Sequence, residues 1–338
     1  MKMQKQQVLI AIFAAFSALC PSTPEQAQKY DPNNLPRLPG AELLVGGYLP
    51  ERILLTTQDK TIPLQEDPIG LYAGPSISAD GSVVASAHRL PGDGSRAPRL
   101  VVSTYSVKDG KWTDHPEIEC APGSVAISPD SSKLACVMHS RLQVLDLKNG
   151  EITMFKESSG YVGRSLSWSP ESRRIAFDMR APDHSPLFPH FSPLSDIRAI
   201  YVADLATGTV SMIGLGQSPS WSPSGDWIAF ASYFPVPREY CRPGNCEVYE
   251  GKCYLPCDHQ FSLMRPTGTD SHILMGFSSD VGDNAQPVWS PDSKRILLTR
   301  VRDPDNGTLD IYMFDLGTRK LRKEFKNVAP VYAWIDAK

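Results

Sequence analysis

At 338 residues and a formal net charge of −3, with 34 basic against 37 acidic side chains, the chain has no long run of either sign, which argues against a nucleic-acid partner. Its 24 glycines and 30 prolines punctuate short runs of β-branched and aromatic residues, a composition of strands and turns rather than of long amphipathic helices. One large all-β domain is expected in preference to two ordinary ones.

In chain order, Lys2 and Lys5 precede an uncharged, mostly apolar stretch from Val8 to Leu19, and a Pro/Ser/Thr/Gln segment follows. This is the order of a secretory signal, and the stretch is short for a bilayer-spanning helix, which needs about 20 apolar residues. We expect a signal peptide over residues 1–22, with cleavage after Ser22 one choice among several, and a linker over 23–42. Bulky Leu19 ahead of Cys20 disfavours lipidation. The mature chain is then periplasmic or secreted, touching a membrane only through an uncleaved signal or a partner.

From residue 43 onward one pattern recurs: Ile77-Ser78-Ala79-Asp80-Gly81, Ile127-Ser128-Pro129-Asp130-Ser131, Trp168-Ser169-Pro170-Glu171-Ser172, Trp221-Ser222-Pro223-Ser224-Gly225 and Trp289-Ser290-Pro291-Asp292-Ser293. An apolar pair follows each copy at a fixed distance: Val84-Ala85, Leu134-Ala135, Ile175-Ala176, Ile228-Ala229 and Ile296-Leu297. Pro presets the φ of a turn, Asp or Ser bonds nearby backbone, and Gly or Ser closes the bend, so each copy reads as a hairpin. Second hairpins follow at Asp109-Gly110, Asn149-Gly150, Thr207-Gly208 and Gly317. Two hairpins per unit make a four-stranded blade, and a regular period of this kind marks a β-propeller rather than a sandwich. Arg52 to Thr56 repeats Arg295 to Thr299 and is expected as a second strand, while Pro330 to Trp334 matches a first strand. If the two ends share one blade the ring closes at six, with five or seven as alternatives. The expected propeller covers 43–338, with insertions at 180–196 and 237–260.

Trp-Ser-Pro-Asp-Ser with Arg-Ile-Leu and Ile-Tyr-Met-x-Asp-Leu, as in Trp289 to Leu316, resembles the WD40-like repeat of the TolB family. The resemblance implies a propeller, and in TolB itself a periplasmic protein that binds a partner lipoprotein at the propeller face. Related repeats occur in the propellers of prolyl-oligopeptidase-type peptidases and of some pectin-fragment lyases. The α/β domain that precedes the propeller in TolB has no counterpart between the signal and the first strand expected here.

No nucleophile elbow of the Gly-x-Ser-x-Gly type occurs, nor a His-Glu-x-x-His, a Walker A loop or a Gly-x-Gly-x-x-Gly, so no catalytic residue is assigned. Gly163-Arg164-Ser165 and Gly216-Gln217-Ser218 lack the final Gly and read as strand starts. Seven histidines (His88, His115, His139, His184, His190, His259 and His272) are scattered. Asp183, His184 and His190 read as an exposed loop rather than as a metal site, and no cofactor is expected. Asp303 to Gly307 reads as an Asn-Gly turn rather than a calcium loop. Cys241, Cys246, Cys253 and Cys257 lack the short spacing of zinc knuckles, and in an exported chain two disulfides that staple an irregular loop are favoured, with the pairing open. Cys136 aligns with Phe177, Phe230 and Leu298 and reads as a buried free thiol, a bond to Cys120 being the open alternative.

Ligand-binding residues are expected in the loops between one blade and the next: Tyr72, Tyr161, Arg164, Gln217, Asp280, Asp283 and Asn284, a mixture of flat aromatics and polar groups. These expectations amount to a non-catalytic binding or scaffold propeller for an envelope protein, peptide or glycan. The alternative is a polysaccharide lyase or glycosidase-like enzyme with histidines or paired carboxylates in the channel.

Overall fold

The computed structural model describes residues 34–48, 51–65, 75–89, 100–120, 125–138, 141–155, 162–180, 198–236, 247–249, 252–276, 286–303 and 308–336. Strands β1 (Ala41–Tyr48), β2 (Glu51–Thr56) and β3 (Thr61–Gln65) open the chain. Blade 1 is β4 (Ser76–Ile77), β5 (Val83–Arg89), β6 (Leu100–Ser106) and β7 (Lys111–His115). Blade 2 is β8 (Val125–Ile127), β9 (Lys133–Met138), β10 (Arg141–Asp146) and β11 (Ile152–Met154). Blade 3 is β12 (Val162–Trp168), β13 (Arg174–Arg180), β14 (Arg198–Asp204) and β15 (Val210–Leu215). Blade 4 comprises β16 (Gln217–Trp221), β17 (Ile228–Val236), β18 (Glu247–Tyr249), β19 (Lys252–Met264) and β20 (His272–Gly276). Blade 5 is β21 (Val288–Trp289), β22 (Arg295–Asp303), β23 (Thr308–Asp315) and β24 (Lys320–Val328), and β25 (Val331–Asp336) ends the described chain.

β25 pairs with β1, giving a sixth sheet in the order β25-β1-β2-β3. The inner strands then touch in a closed circle, β4 to β8, β12, β16, β21, β25 and back to β4. The protein is a six-bladed propeller closed by both parts of the chain, which removes the open edges of the ring. One expectation is corrected. Arg52 to Thr56 is the third strand of its blade, because β1 takes the second place beside β25, pairing Leu43 with both Trp334 and Thr56. The apolar Leu43-Leu44-Val45 run is fully buried there, and a short strap ahead of it, with Leu38 in the core, is held by Arg37, whose guanidinium donates to Thr57 O (2.6 Å) and Lys60 O (2.8 Å).

Each seam between blades has its own apolar cluster, and strand alternation explains the repeat. In the second strands the large residue (Ile175, Ile228, Ile296) packs against the preceding blade, and its small neighbour (Ala176, Ala229) packs against the following one. The small side chain makes room for the next blade's tryptophan: Ala135 lies with Trp168, Ala176 with Trp221 and Ala229 with Trp289. Close packing of this kind punishes both cavities and overfilling. Two of these tryptophans also bond backward, Trp168 Nε1 to Ala126 O (3.0 Å) and Trp289 Nε1 to Ser220 O (2.9 Å).

The repeated serines are buried at the turns. Ser128 donates its hydroxyl to Asp130 Oδ1 (2.6 Å) and accepts from the Lys133 amide (2.9 Å); Ser290 does the same with Asp292 (2.5 Å) and Arg295 (2.9 Å). The closing residue has φ near +60° in Ser131, Ser172 and Ser293, a conformation costing an L-residue about 1–2 kcal/mol. Ser172 and Ser293 offset that cost by accepting, through their hydroxyls, the amides of Asp130 (3.2 Å) and Ser224 (2.9 Å) in the preceding blade. This face of the ring is thus largely occupied by its own hydrogen bonds.

Two cysteine expectations change. Cys136 is no free thiol: it forms a disulfide with Cys120, with Cα atoms 5.6 Å apart. The segment before blade 2 lies over the seam with blade 1, burying Ile118 and Cys120 against β9, and that brings the two sulfurs together. Nor is the second insertion wholly irregular. β17 runs on to Val236, and Phe234, Pro235 and Val236 pair with Leu255, Tyr254 and Cys253, with β18 alongside. The pairing state of Cys241, Cys246, Cys253 and Cys257 lies outside the described residues.

Candidate functional site

Because neighbouring strands are antiparallel, the hairpin turns of the repeat lie on one face, and the connections from second to third strand and from blade to blade lie on the other. The second face is where the connections that hold the insertions and the seven expected ligand residues begin and end. Of these, Tyr72, Tyr161, Asp280, Asp283 and Asn284 lie outside the described residues. Arg164 is placed by its backbone in β12, at an irregularity of the ladder opposite β13. Gln217 is placed in full.

Gln217 is not a solvated loop residue. Blade 3 joins blade 4 through the single residue Gly216, and Gln217 already pairs with Ala231 in the ladder. Gly216 has φ +153°, and a Cβ there would meet Phe230 Cδ2 at 2.6 Å and Ala231 O at 2.7 Å; only glycine permits so close a crossing. The Gln217 side chain is buried, and its Nε2 has no hydrogen-bond partner. Nearby, Gln286 at the entry of blade 5 donates its Nε2 to Pro219 O (2.6 Å) in blade 4, and lies 3.4 Å from Leu166 O in blade 3. One carboxamide therefore ties three inner strands at the axial mouth.

Beside the mouth, the seam between blades 3 and 4 departs from the other seams. Asp178 occupies a strand position held elsewhere by Ala87, Val137, Ala231 and Thr299. It is 3% exposed and alternates with Ala176, which faces blade 4. Arg198 Nη1 donates to Asp178 Oδ2 at 2.8 Å, while Asp178 Oδ1 has no partner. Burial pushes the Asp178 carboxyl above its usual range, against the pull of the Arg198 guanidinium and of the Asp178 and Ser165 backbone amides. The Arg198 carbonyl accepts the Gly216 amide (2.9 Å), and Ser165 Oγ donates to Ser218 Oγ (3.5 Å). From blade 4, buried Ser232 and Ser262 share a hydrogen bond of 2.7 Å, and Ser232 also donates to Gln260 O (3.2 Å). Ser262 alternates with Met264, which packs toward blade 3.

The sequence analysis did not single out Asp178, Arg198 or the Ser232–Ser262 pair. A signal existed: aspartate at a place of the repeat held elsewhere by alanine, valine or threonine. The cluster is neutral overall and rich in hydroxyl and amide groups, an arrangement suited to hydrogen-bond recognition. His115 and His272 sit on the outer strands β7 and β20, away from the inner strands. Among the described residues no three His, Cys, Asp or Glu side chains gather as metal ligands would.

Five four-stranded blades and one five-stranded blade, closed in a ring, define a six-bladed β-propeller. Its fold is the one found in TolB. TolB from Acinetobacter baumannii superposes with a TM-score of 0.58 at 14% identity, over 87% of this chain and 65% of that protein. A putative TolB from Agrobacterium tumefaciens gives 0.53 at 16% identity, over 86% and 90%, and a chain of the nidogen/laminin complex gives 0.52 at 10%, over 87% and 96%. No protein-family model and no curated protein matches the sequence. At these identities the likeness is one of fold.

Proposed function

We propose that this chain is an exported, non-catalytic propeller that binds a protein, peptide or glycan of the cell envelope on its loop face. The observation that carries the reading is the contrast between the two faces. The turn face is built from one repeated hydrogen-bonded motif, whereas the opposite face carries the extension of β17 and β19 with β18, the axial glutamines and the polar seam of blades 3 and 4. Loops on a rigid ring are where recognition is placed. The N-terminal charge and hydropathy pattern supports export.

The test is affinity capture from envelope extract with the mature protein, followed by identification of what is retained. A retained protein or glycan that competes with loop-face substitutions supports the reading. Cleavage of an envelope polymer by the purified protein, with nothing retained, overturns it.

A further inference from the structure

We propose that strand β24, the outer edge of blade 5, is a docking edge for an extended acidic peptide segment that adds to the sheet as a further strand. The surface lies on the rim of the ring, and the inference goes beyond the loop-face reading without depending on it. Its first support is charge. In the β23–β24 turn and along β24, Arg319, Lys320, Arg322, Lys323 and Lys326 are exposed and stand against the single acid Glu324, although the whole chain carries −3. The outer strands of the other blades have nothing comparable: β3, β11 and β15 carry no charged residue, β20 has only His272, and β7 sets Lys111 against Asp114. Among the described residues Arg322 meets Glu324 (2.8 Å) and Lys323 meets Asp310 (2.6 Å), while Arg319, Lys320 and Lys326 have no ionic partner. Asp315, at the start of the turn, is taken up by the amide and hydroxyl of Thr318. The rim of blade 5 therefore presents uncompensated positive charge.

The second support is the strand edge itself. β24 is 9 residues long, against 3 to 6 for β3, β7, β11, β15 and β20, and among the described residues no strand pairs with it on the side away from β23. On its inner side it is firmly held. It pairs with β23 from Lys320 to Lys323 without a break, and it packs Leu321 into the cluster of blades 4 and 5 and Phe325 into that of blades 5 and 6, so little ordering is left to be done on binding. Beyond Lys323 the ladder is irregular, and Asn34 Nδ2 donates to Lys326 O (3.2 Å), which leaves Lys320 to Lys323 as the regular stretch. An open edge offers main-chain N–H and C=O groups to an incoming strand. Lys320 and Arg322 lie two residues apart and so on one side of the sheet, which calls for carboxylates at alternate positions of the newcomer, where opposite charges across strands are favourable. Basic side chains on an edge also guard it against a second copy of itself; the charges that repel another β24 attract an acidic strand. A phosphate, an anionic glycan or a lipid headgroup would use the charge but has no row of main-chain amides to match the edge, so the two features together select a peptide.

The experiment is fluorescence anisotropy of the full chain at low salt with labelled acetyl-Thr-Glu-Val-Glu-Val-Glu-Thr-amide. Its controls are the same peptide with lysine for glutamate, the acidic peptide N-methylated throughout its Glu-Val core, and phosphatidylglycerol vesicles. N-methylation keeps the charges and blocks strand pairing from either edge. The acidic peptide should bind, the lysine peptide should not, and N-methylation should weaken binding by at least about tenfold, as the loss of main-chain hydrogen bonds requires. Lys320→Glu with Arg322→Glu should weaken the acidic peptide by at least about tenfold, since two attractive cross-strand pairs become repulsive. Circular dichroism checks that this variant folds, and hydrogen exchange in the parent needs no variant: amides over Lys320 to Lys323 should slow when the peptide is bound. The proposal is overturned if the acidic peptide does not bind, if the lysine or N-methylated peptide binds as tightly, if the folded variant binds like the parent, or if exchange over Lys320 to Lys323 is unchanged. Binding to the vesicles in place of the peptide would assign the edge to a membrane surface and would also overturn it.

Discussion

Breaking the Cys120–Cys136 bond should destabilise the seam of blades 1 and 2 by a calculable amount. The cysteines are 16 residues apart in sequence, and closing a loop of that size removes about 3 kcal/mol of chain entropy from the unfolded state. For a propeller of roughly 300 residues, with an unfolding entropy of about 2.1 cal/mol/K per residue, this corresponds to about 5 °C in Tm. The assay is thermal unfolding by circular dichroism, with and without a phosphine reductant, on the parent and on the Cys120→Ala, Cys136→Ala double variant. Reductant also reaches any bond among Cys241, Cys246, Cys253 and Cys257, so the informative quantity is the difference between the two reductant shifts. It should be about 5 °C, and a non-reducing peptide map of the parent should show the two peptides joined. Equal shifts in both proteins, with the map confirming the bond, would refute the entropic reasoning.

Asp130 should make stability acid-sensitive. Burial pushes its carboxyl up, but the Ser128 hydroxyl and the hydrogen bonds from Ser132 and Ser172 prevail and hold it at about 2, against an ordinary 3.8. A folded value below the unfolded one means a contribution fully present above about pH 4 and lost as pH falls toward about 2. Discounted for solvent screening of a largely exposed group, it is about 1 kcal/mol, and urea midpoints at neutral and acid pH should show Asp130→Asn losing that dependence. Ser128→Ala should cost about 1–3 kcal/mol by leaving the Lys133 amide without its acceptor, read from the same urea midpoints; an unchanged midpoint would count against the turn argument. Gly216→Ala should cost about 3 kcal/mol or more, since its Cβ must displace Phe230 or the Ala231 carbonyl. A Tm equal to the parent's would show that the crossing relaxes easily.

How much of this was legible in the sequence follows from what is local. The Ser-Pro-Asp-Ser turn is closed by contacts within a few residues, such as Ser290 with Asp292 and Arg295, so its chemistry and its count of units could be read from the chain. The Ile-Ala alternation after each turn announced strands and a packed ring for the same reason. Strand rank in the closing blade was not legible, because Arg52 to Thr56 matches a second strand by composition and only the pairing of β1 with β25 makes it the third.

The seams belong to tertiary structure. Cys136 looked like one more core position until the segment before blade 2 lay across it and delivered Cys120. Gln217 looked like a loop residue until a one-residue link drew it into the ladder. Asp178, Arg198, Ser232 and Ser262 are spread over the chain from residue 178 to 262, and no local rule joins them. The sequence by itself determined the repeat, the turn chemistry and the all-β class, since those rest on neighbours a few residues apart. The closed ring decided which polar groups meet, because blade-to-blade contact is made across gaps that no short motif spans.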